Sequence, residues 1–158
     1  MNSECLRIAD QLRRAFTGDP WHGSSILDLL AGITVEKART RPLRPVHNIW
    51  ELVLHIDIYL QVGFDATRGV TMPKLYGTEG DWPALRDDSS VAWAAAQDRL
   101  FQDAENLAQA IERFDDAKLH DPVPGRSYDF YYLFHGIVQH SLYHAGQIAM
   151  LKKATSAG

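Results

Sequence analysis

The sequence predicts an all-α protein, a four-helix bundle in up-down-down-up order with a long crossover between the second and third long helices. Three observations predict it. Four stretches carry apolar residues at the spacing of a buried helix face, no stretch reads as a strand, and about 20 residues without periodicity separate the second stretch from the third. A chain of 158 residues suits one domain, expected over residues 1–153, with a short flexible tail at 154–158.

The first helix is expected over Ser3–Phe16, where Leu6, Ile8, Ala9, Leu12, Ala15 and Phe16 recur at helical spacing before Thr17-Gly18-Asp19-Pro20 stops the pattern. A shorter amphipathic segment, Ser24–Ile33, precedes the proline-punctuated run Arg41-Pro42-Leu43-Arg44-Pro45. Asn48-Ile49-Trp50-Glu51 then has the form of a capping box, with Asn48 as N-cap and Glu51 at the third helical position. The second long helix opens there and extends to about Arg68, apolar around most of its circumference, so it must be contacted on several sides.

Residues 69–88 hold three Gly and two Pro and no sustained period, which marks a long connection of the kind that often carries function. The third long helix follows over Ser89–Phe114, with Asp87, Asp88 and Ser89 placed to satisfy its first amides. The fourth begins near Tyr128 and continues through Leu151, with Lys152 and Lys153 at its negative end.

Composition narrows the function. Apolar residues make up 46% and charged residues 23%, which excludes a disordered chain, and the net charge of -4 without any basic run excludes nucleic acid and anionic membrane as partners. No apolar stretch approaches the roughly 20 residues of a membrane span. The single cysteine, Cys5, has no internal partner for a disulfide, and the N-terminus lacks the basic-then-apolar order of a secretion signal, so a reducing cytoplasm is expected.

Seven histidines occur. His140 and His144 are four apart in the fourth helix, on one face and about 6 Å apart along the axis, so both can reach one ion. No Glu follows His140, so the pair does not read as a metalloprotease site. His55 interrupts the most apolar helix, where an unpartnered imidazole carries a desolvation cost. At about 1.5 Å per residue His55 stands about 10 Å from the start of its helix and His144 about 13 Å from the end of the fourth. The levels match if those helices are antiparallel, and miss by about 8 Å if they are parallel.

The competing reading makes His55 a hydrogen-bonded core residue and the pair an ordinary polar stripe; together, at matched heights, the three favour a metal site. His135 is about 140° round the helix from His140, at a rim or packing position. His22, His47 and His120, in or beside loops, read as solvated or capping. Glu51 is one turn before His55 and is either its partner or only the capping residue. Tyr59, Tyr143 and the four tryptophans read as packing residues, although Trp82 in the long connection is placed to line a pocket together with Pro20-Trp21-His22.

Four segments carry a resemblance: Pro20-Trp21-His22-Gly23, His47-Asn48-Ile49-Trp50-Glu51-Leu52-Val53-Leu54-His55, Gly80-Asp81-Trp82-Pro83 and Gly136-Ile137-Val138-Gln139-His140-Ser141-Leu142-Tyr143-His144-Ala145-Gly146-Gln147-Ile148. Together the chain resembles the DinB-like (DinB/YfiT) metalloenzymes. The resemblance implies a four-helix bundle, frequent homodimers and a divalent metal ion, often nickel or zinc, held at the positions of His55, His140 and His144. It also implies a small-molecule substrate, since characterised members include S-transferases that use a low-molecular-weight thiol and a maleylpyruvate isomerase. Ser141 stands where relatives commonly carry an acid.

Three neutral imidazoles leave a divalent ion its full charge and an open position, the arrangement of a catalytic site. Such an ion deprotonates a bound thiol and brings bound water toward a pKa of about 7. Thiolate attack on an electrophile and water attack on an amide or ester both fit such an ion; the resemblance implies the first, so the expected function is a metal-dependent thiol S-transferase acting on an electrophilic small molecule. The alternatives are a metal-dependent hydrolase of a small amide or ester, a non-catalytic metal-binding stress-response protein, and a bundle with no ion.

Overall fold

The structure is a computed structural model and describes residues 3–156. Among these residues there are six α-helices, a single 3₁₀ turn at Asp116–Lys118 and no strand; the one pairing of extended backbone is the isolated bridge between Pro122 and Asp129. The helices are α1 (Ser3–Phe16), α2 (Ile26–Leu30), α3 (Val35–Arg39), α4 (Ile49–Thr67), α5 (Ser90–Glu112) and α6 (Phe130–Ser156). The all-helical expectation is borne out.

Local chemistry explains the ends. Asn48 caps α4 reciprocally: its side chain accepts from the Glu51 amide at 2.9 Å, and the Glu51 carboxylate accepts from the Asn48 amide at 3.0 Å. Ser89 caps α5, accepting from Ala92 N at 3.1 Å. Asp129 opens α6 by accepting from the Tyr132 amide at 2.8 Å.

Two expectations need correcting. The segment over Ser24–Ile33 is helical only at Ile26–Leu30, and a separate helix, α3, follows it. Gly32, at a φ of 73°, turns the chain between them, and Thr34 starts a new cap by accepting from Lys37 N. The tail expected from Ala154 is helical as far as Ser156, where the Thr155 hydroxyl donates to the carbonyls of Leu151 and Lys152 and continues the last turn; residues 157–158 lie outside the described residues.

The long helix α5 packs on both α1 and α4, and α6 packs on α4 and α1, an arrangement compatible with a four-helix bundle. The core between them includes Leu12, Phe16, Trp50, Leu60, Leu100, Leu107 and Phe134, all buried. Burying a side chain of this size stabilises the fold by about 1.5–3 kcal/mol. Polar ties cross the same seams. Arg13 of α1 bonds both Glu105 and Glu112 of α5, and Asp57 of α4 accepts from Arg99 of α5 at 2.8 Å while Gln61 donates to Asp103 at 3.0 Å.

Helix α4 is apolar on several sides because it touches both α5 and α6. At Gly63 the approach is so close that a Cβ would lie 2.4 Å from Ile137 Cδ1 of α6 and 3.4 Å from Leu107 Cδ2 of α5. The absence of a side chain at this position sets how near α4 and α6 come, eight residues beyond His55. No helix among the described residues is long and apolar enough to cross a membrane.

Candidate metal centre

The structure brings His55, His140 and His144 together. One ring nitrogen from each lies within 4.8 Å of the others, an arrangement able to hold a metal ion. His140 Nε2 stands 3.0 Å from His55 Nε2 and 3.1 Å from His144 Nε2. Nitrogens held about 2.0–2.1 Å from a zinc stand about 2.9 Å apart at right angles and about 3.4 Å apart at the tetrahedral angle, so the observed separations suit an ion.

Tautomers decide the chemistry here. His55 Nδ1 is 2.6 Å from the carbonyl oxygen of Asp81, and a carbonyl only accepts, so the proton sits on Nδ1 and the lone pair on Nε2. His144 Nδ1 is 2.7 Å from Gln147 Oε1 and has the same assignment. Two lone pairs therefore face His140 Nε2, which has at most one hydrogen to donate, while His140 Nδ1 is buried without any partner. Protein hydrogen bonds leave this set unsatisfied, whereas a cation accepts all three lone pairs together.

Burial keeps the imidazoles neutral. Desolvation, reinforced by the neighbouring His144 and His55, holds His140 down at about 3. His55 and His144 are also lowered, again chiefly by desolvation, against a smaller opposing pull from Asp81 on His55 and from Gln147 on His144. Near neutral pH all three offer lone pairs and not charge.

The connection 69–88 provides the frame. It is tied down where Met72 N donates to Pro124 O at 3.0 Å and where Met72 and Leu75 are buried. From it Asp81 reaches in, holding His55 by its carbonyl while its buried carboxylate accepts from the Tyr59 hydroxyl at 2.8 Å. The next residue, Trp82, lies flat between two imidazoles, 3.9 Å from the His55 ring and 3.5 Å from the His47 ring, with planes within 5° of parallel. This sandwich fixes the His55 ring plane from one side while Asp81 fixes it along its edge.

The trio opens into a cavity of about 470 Å³ whose wall includes His47, Tyr59, Tyr76, Asp81, Trp82 and Tyr143. Sequence reasoning places Trp82 there correctly but treats Tyr59 and Tyr143 as packing and His47 as solvated or capping. Asp81 it leaves without a role, although a lone acid between Gly80 and Trp82 in a long connection was the available signal. Pro20-Trp21-His22 does not line the cavity, contrary to expectation: Gly23 N closes a tight turn on Pro20 O and Trp21 is fully exposed. Val46 and His47 line the cavity instead.

Glu51 is the capping residue and not a partner of His55, since its carboxylate is committed to the Asn48 amide, Arg41 and His47 Nδ1. His135 lies apart from the trio, 3.9 Å from Glu4. His120 pairs with Asp129 at 3.0 Å. Ser141 is buried and donates to Ile137 O at 2.8 Å, so it serves the helix and not the imidazoles.

Fold and site together define a helical protein with a three-imidazole pocket of the metal-binding kind. The family model of the DinB superfamily matches residues 21–148, and the chain belongs to that superfamily. No curated protein and no solved structure matches the chain.

Proposed function

We propose that the chain is a metal-dependent enzyme in which His55, His140 and His144 hold a divalent ion, nickel or zinc, and that it joins a low-molecular-weight thiol to an electrophilic small molecule. The observation that carries this reading is the convergence of lone pairs on His140 Nε2, with His140 Nδ1 left unpartnered, at the floor of an accessible cavity. A bound ion would supply a Lewis acid that keeps a thiol ionised near neutral pH.

The chain's own residues do the rest. Asp81 and Trp82 orient His55, Gln147 orients His144, and Tyr59 and Trp82 form part of the cavity wall beside the histidines. The sulfur forms a bond to the electrophilic carbon as the leaving group departs with its bonding pair; the thiol proton passes to solvent at the cavity mouth. Metal-loaded protein incubated with several thiols and a generic electrophile tests this. A thiol-dependent rate lost in His55→Ala is expected; no rate above that variant overturns it. Amide or ester turnover without added thiol would instead favour the hydrolase reading.

Residue pairings support the up-down-down-up order within one domain over residues 1–153. Asp57 with Arg99 and Gln61 with Asp103 advance together along α4 and α5, whereas His55 with His140 and Gly63 with Ile137 advance oppositely along α4 and α6. We place the protein in the cytoplasm, which its single, buried Cys5 thiol suits. A homodimer is proposed through the outer face of α6, where Tyr132, Tyr143 and Met150 are exposed at helical spacing and nothing stands in front of Gly136 or Gly146. Sedimentation tests it: a dimer that Met150→Glu dissociates is expected, and a wild-type monomer overturns it.

A further inference from the structure

Beside the histidine cavity lies a second one of about 400 Å³, and the two share Tyr59 and Tyr76 as common walls. Their chemistry differs. The first has one carboxylate, Asp81, and no lysine or arginine; the second is lined by Lys74 and Arg126 and by no acid. Among the described residues neither cation has a carboxylate partner.

Arg126 is not a loose surface group. Its guanidinium donates to the carbonyl of Gly125 at 3.0 Å and to that of Pro73, which clamps the loop before α6 to the crossover. The same two segments are joined by Met72 N to Pro124 O at 3.0 Å. With two of its five N–H groups spent on carbonyls, the guanidinium is anchored between the two segments and has further N–H groups left to donate. Lys74 follows Pro73 directly in the chain and brings a second charge to the same wall.

We propose that Lys74 and Arg126 form an anion subsite that recognises a carboxylate at the far end of the thiol substrate, whose sulfur lies at the three histidines; this rests on the thiol reading above. The carboxylate is assigned to the thiol and not to the electrophile because the histidine cavity, where the sulfur is placed, shares the walls Tyr59 and Tyr76 with the cavity of Lys74 and Arg126. Two cations without an acid counterpart favour an anion over a neutral tail, and a planar guanidinium fork matches a carboxylate.

Two arms test the subsite and the thiol assignment separately. In metal-free protein, tryptophan fluorescence is titrated with thiol-free hexanoate and with hexanol. Hexanoate is expected to bind about tenfold tighter, the worth of one charge-assisted hydrogen bond, with the preference shrinking at high salt, lost in Lys74→Gln and kept in Lys74→Arg. Equal binding of acid and alcohol, or a preference that Lys74→Gln leaves intact, overturns the subsite whatever the enzyme does. In zinc-loaded protein, ω-mercaptoalkanoates of increasing length are compared with the matching ω-mercaptoalkanols by calorimetry. A Lys74-dependent acid preference that peaks at one chain length is expected. Acid preference in the first arm with no binding of any thiol in the second overturns the assignment to a thiol and the thiol-transferase reading with it, while leaving the cations as a site for another anion.

Discussion

Replacing His140 by Ala separates the metal site from the fold. In the metal-free protein His140 is a half-buried imidazole with a buried, unpartnered Nδ1 and an Nε2 faced by two lone pairs, so its polar contacts do little for stability. The ring does pack on Tyr59, 4.4 Å between centroids, but it borders an open cavity that water fills after truncation. His140→Ala is therefore expected to change metal-free stability by only about 1 kcal/mol, well under the 2–5 kcal/mol of a sealed core truncation. The loaded protein should behave differently. Zinc at about 100 times its Kd stabilises the wild type by about 2.7 kcal/mol, which for a chain of this size is a rise in Tm of roughly 5–11 °C. Without His140 only His55 and His144 are left, and the rise should disappear. Thermal denaturation of chelator-treated wild type and variant, each with and without zinc, measures all four states. An equal zinc-induced rise in both proteins would refute the reasoning, as would a variant that is unfolded without metal.

Gln147→Leu removes the acceptor that fixes the His144 tautomer at 2.7 Å and should weaken zinc binding by about tenfold in competition with a chromophoric chelator; unchanged affinity would show that Gln147 orients nothing. Gly63→Ala brings a methyl 2.4 Å from Ile137 Cδ1 and should cost about 1 kcal/mol, since overpacking outweighs the better helix propensity of Ala. In an Ile137→Val background, which lacks that terminal methyl, the same change should become neutral or stabilising; a double-mutant cycle by urea denaturation with no coupling would contradict the close approach. Arg13 holds Glu105 and Glu112 below the usual carboxylate range through its hydrogen bonds. A depressed folded value contributes stability above the unfolded value and loses it as pH falls through the folded one. The advantage of wild type over Arg13→Met should therefore be present at neutral pH, roughly half a kcal/mol for the partly exposed Glu105 arm, and should shrink as pH falls below the usual carboxylate range; a gap independent of pH would point to packing alone.

Periodicity, caps and histidine spacing made much of this molecule legible from its residues. Asn48 and Glu51 announce the start of α4 because both halves of a capping box are local, and His140 and His144 must share a face because a helix repeats about every 3.6 residues. His55 stood out since an imidazole in an apolar helix needs a partner. The missed features are those whose partners are remote in sequence. Asp81 meets His55 across 26 positions, and Arg126 meets Pro73 across 53, through loops that have no period to read. Whether His47 is solvated or stacked on Trp82 is likewise settled only when the crossover folds over α4. Local spacing thus determines which groups can face one another along a helix, whereas the direction of each lone pair and the charge lining the neighbouring cavity depend on chain segments that only packing brings together.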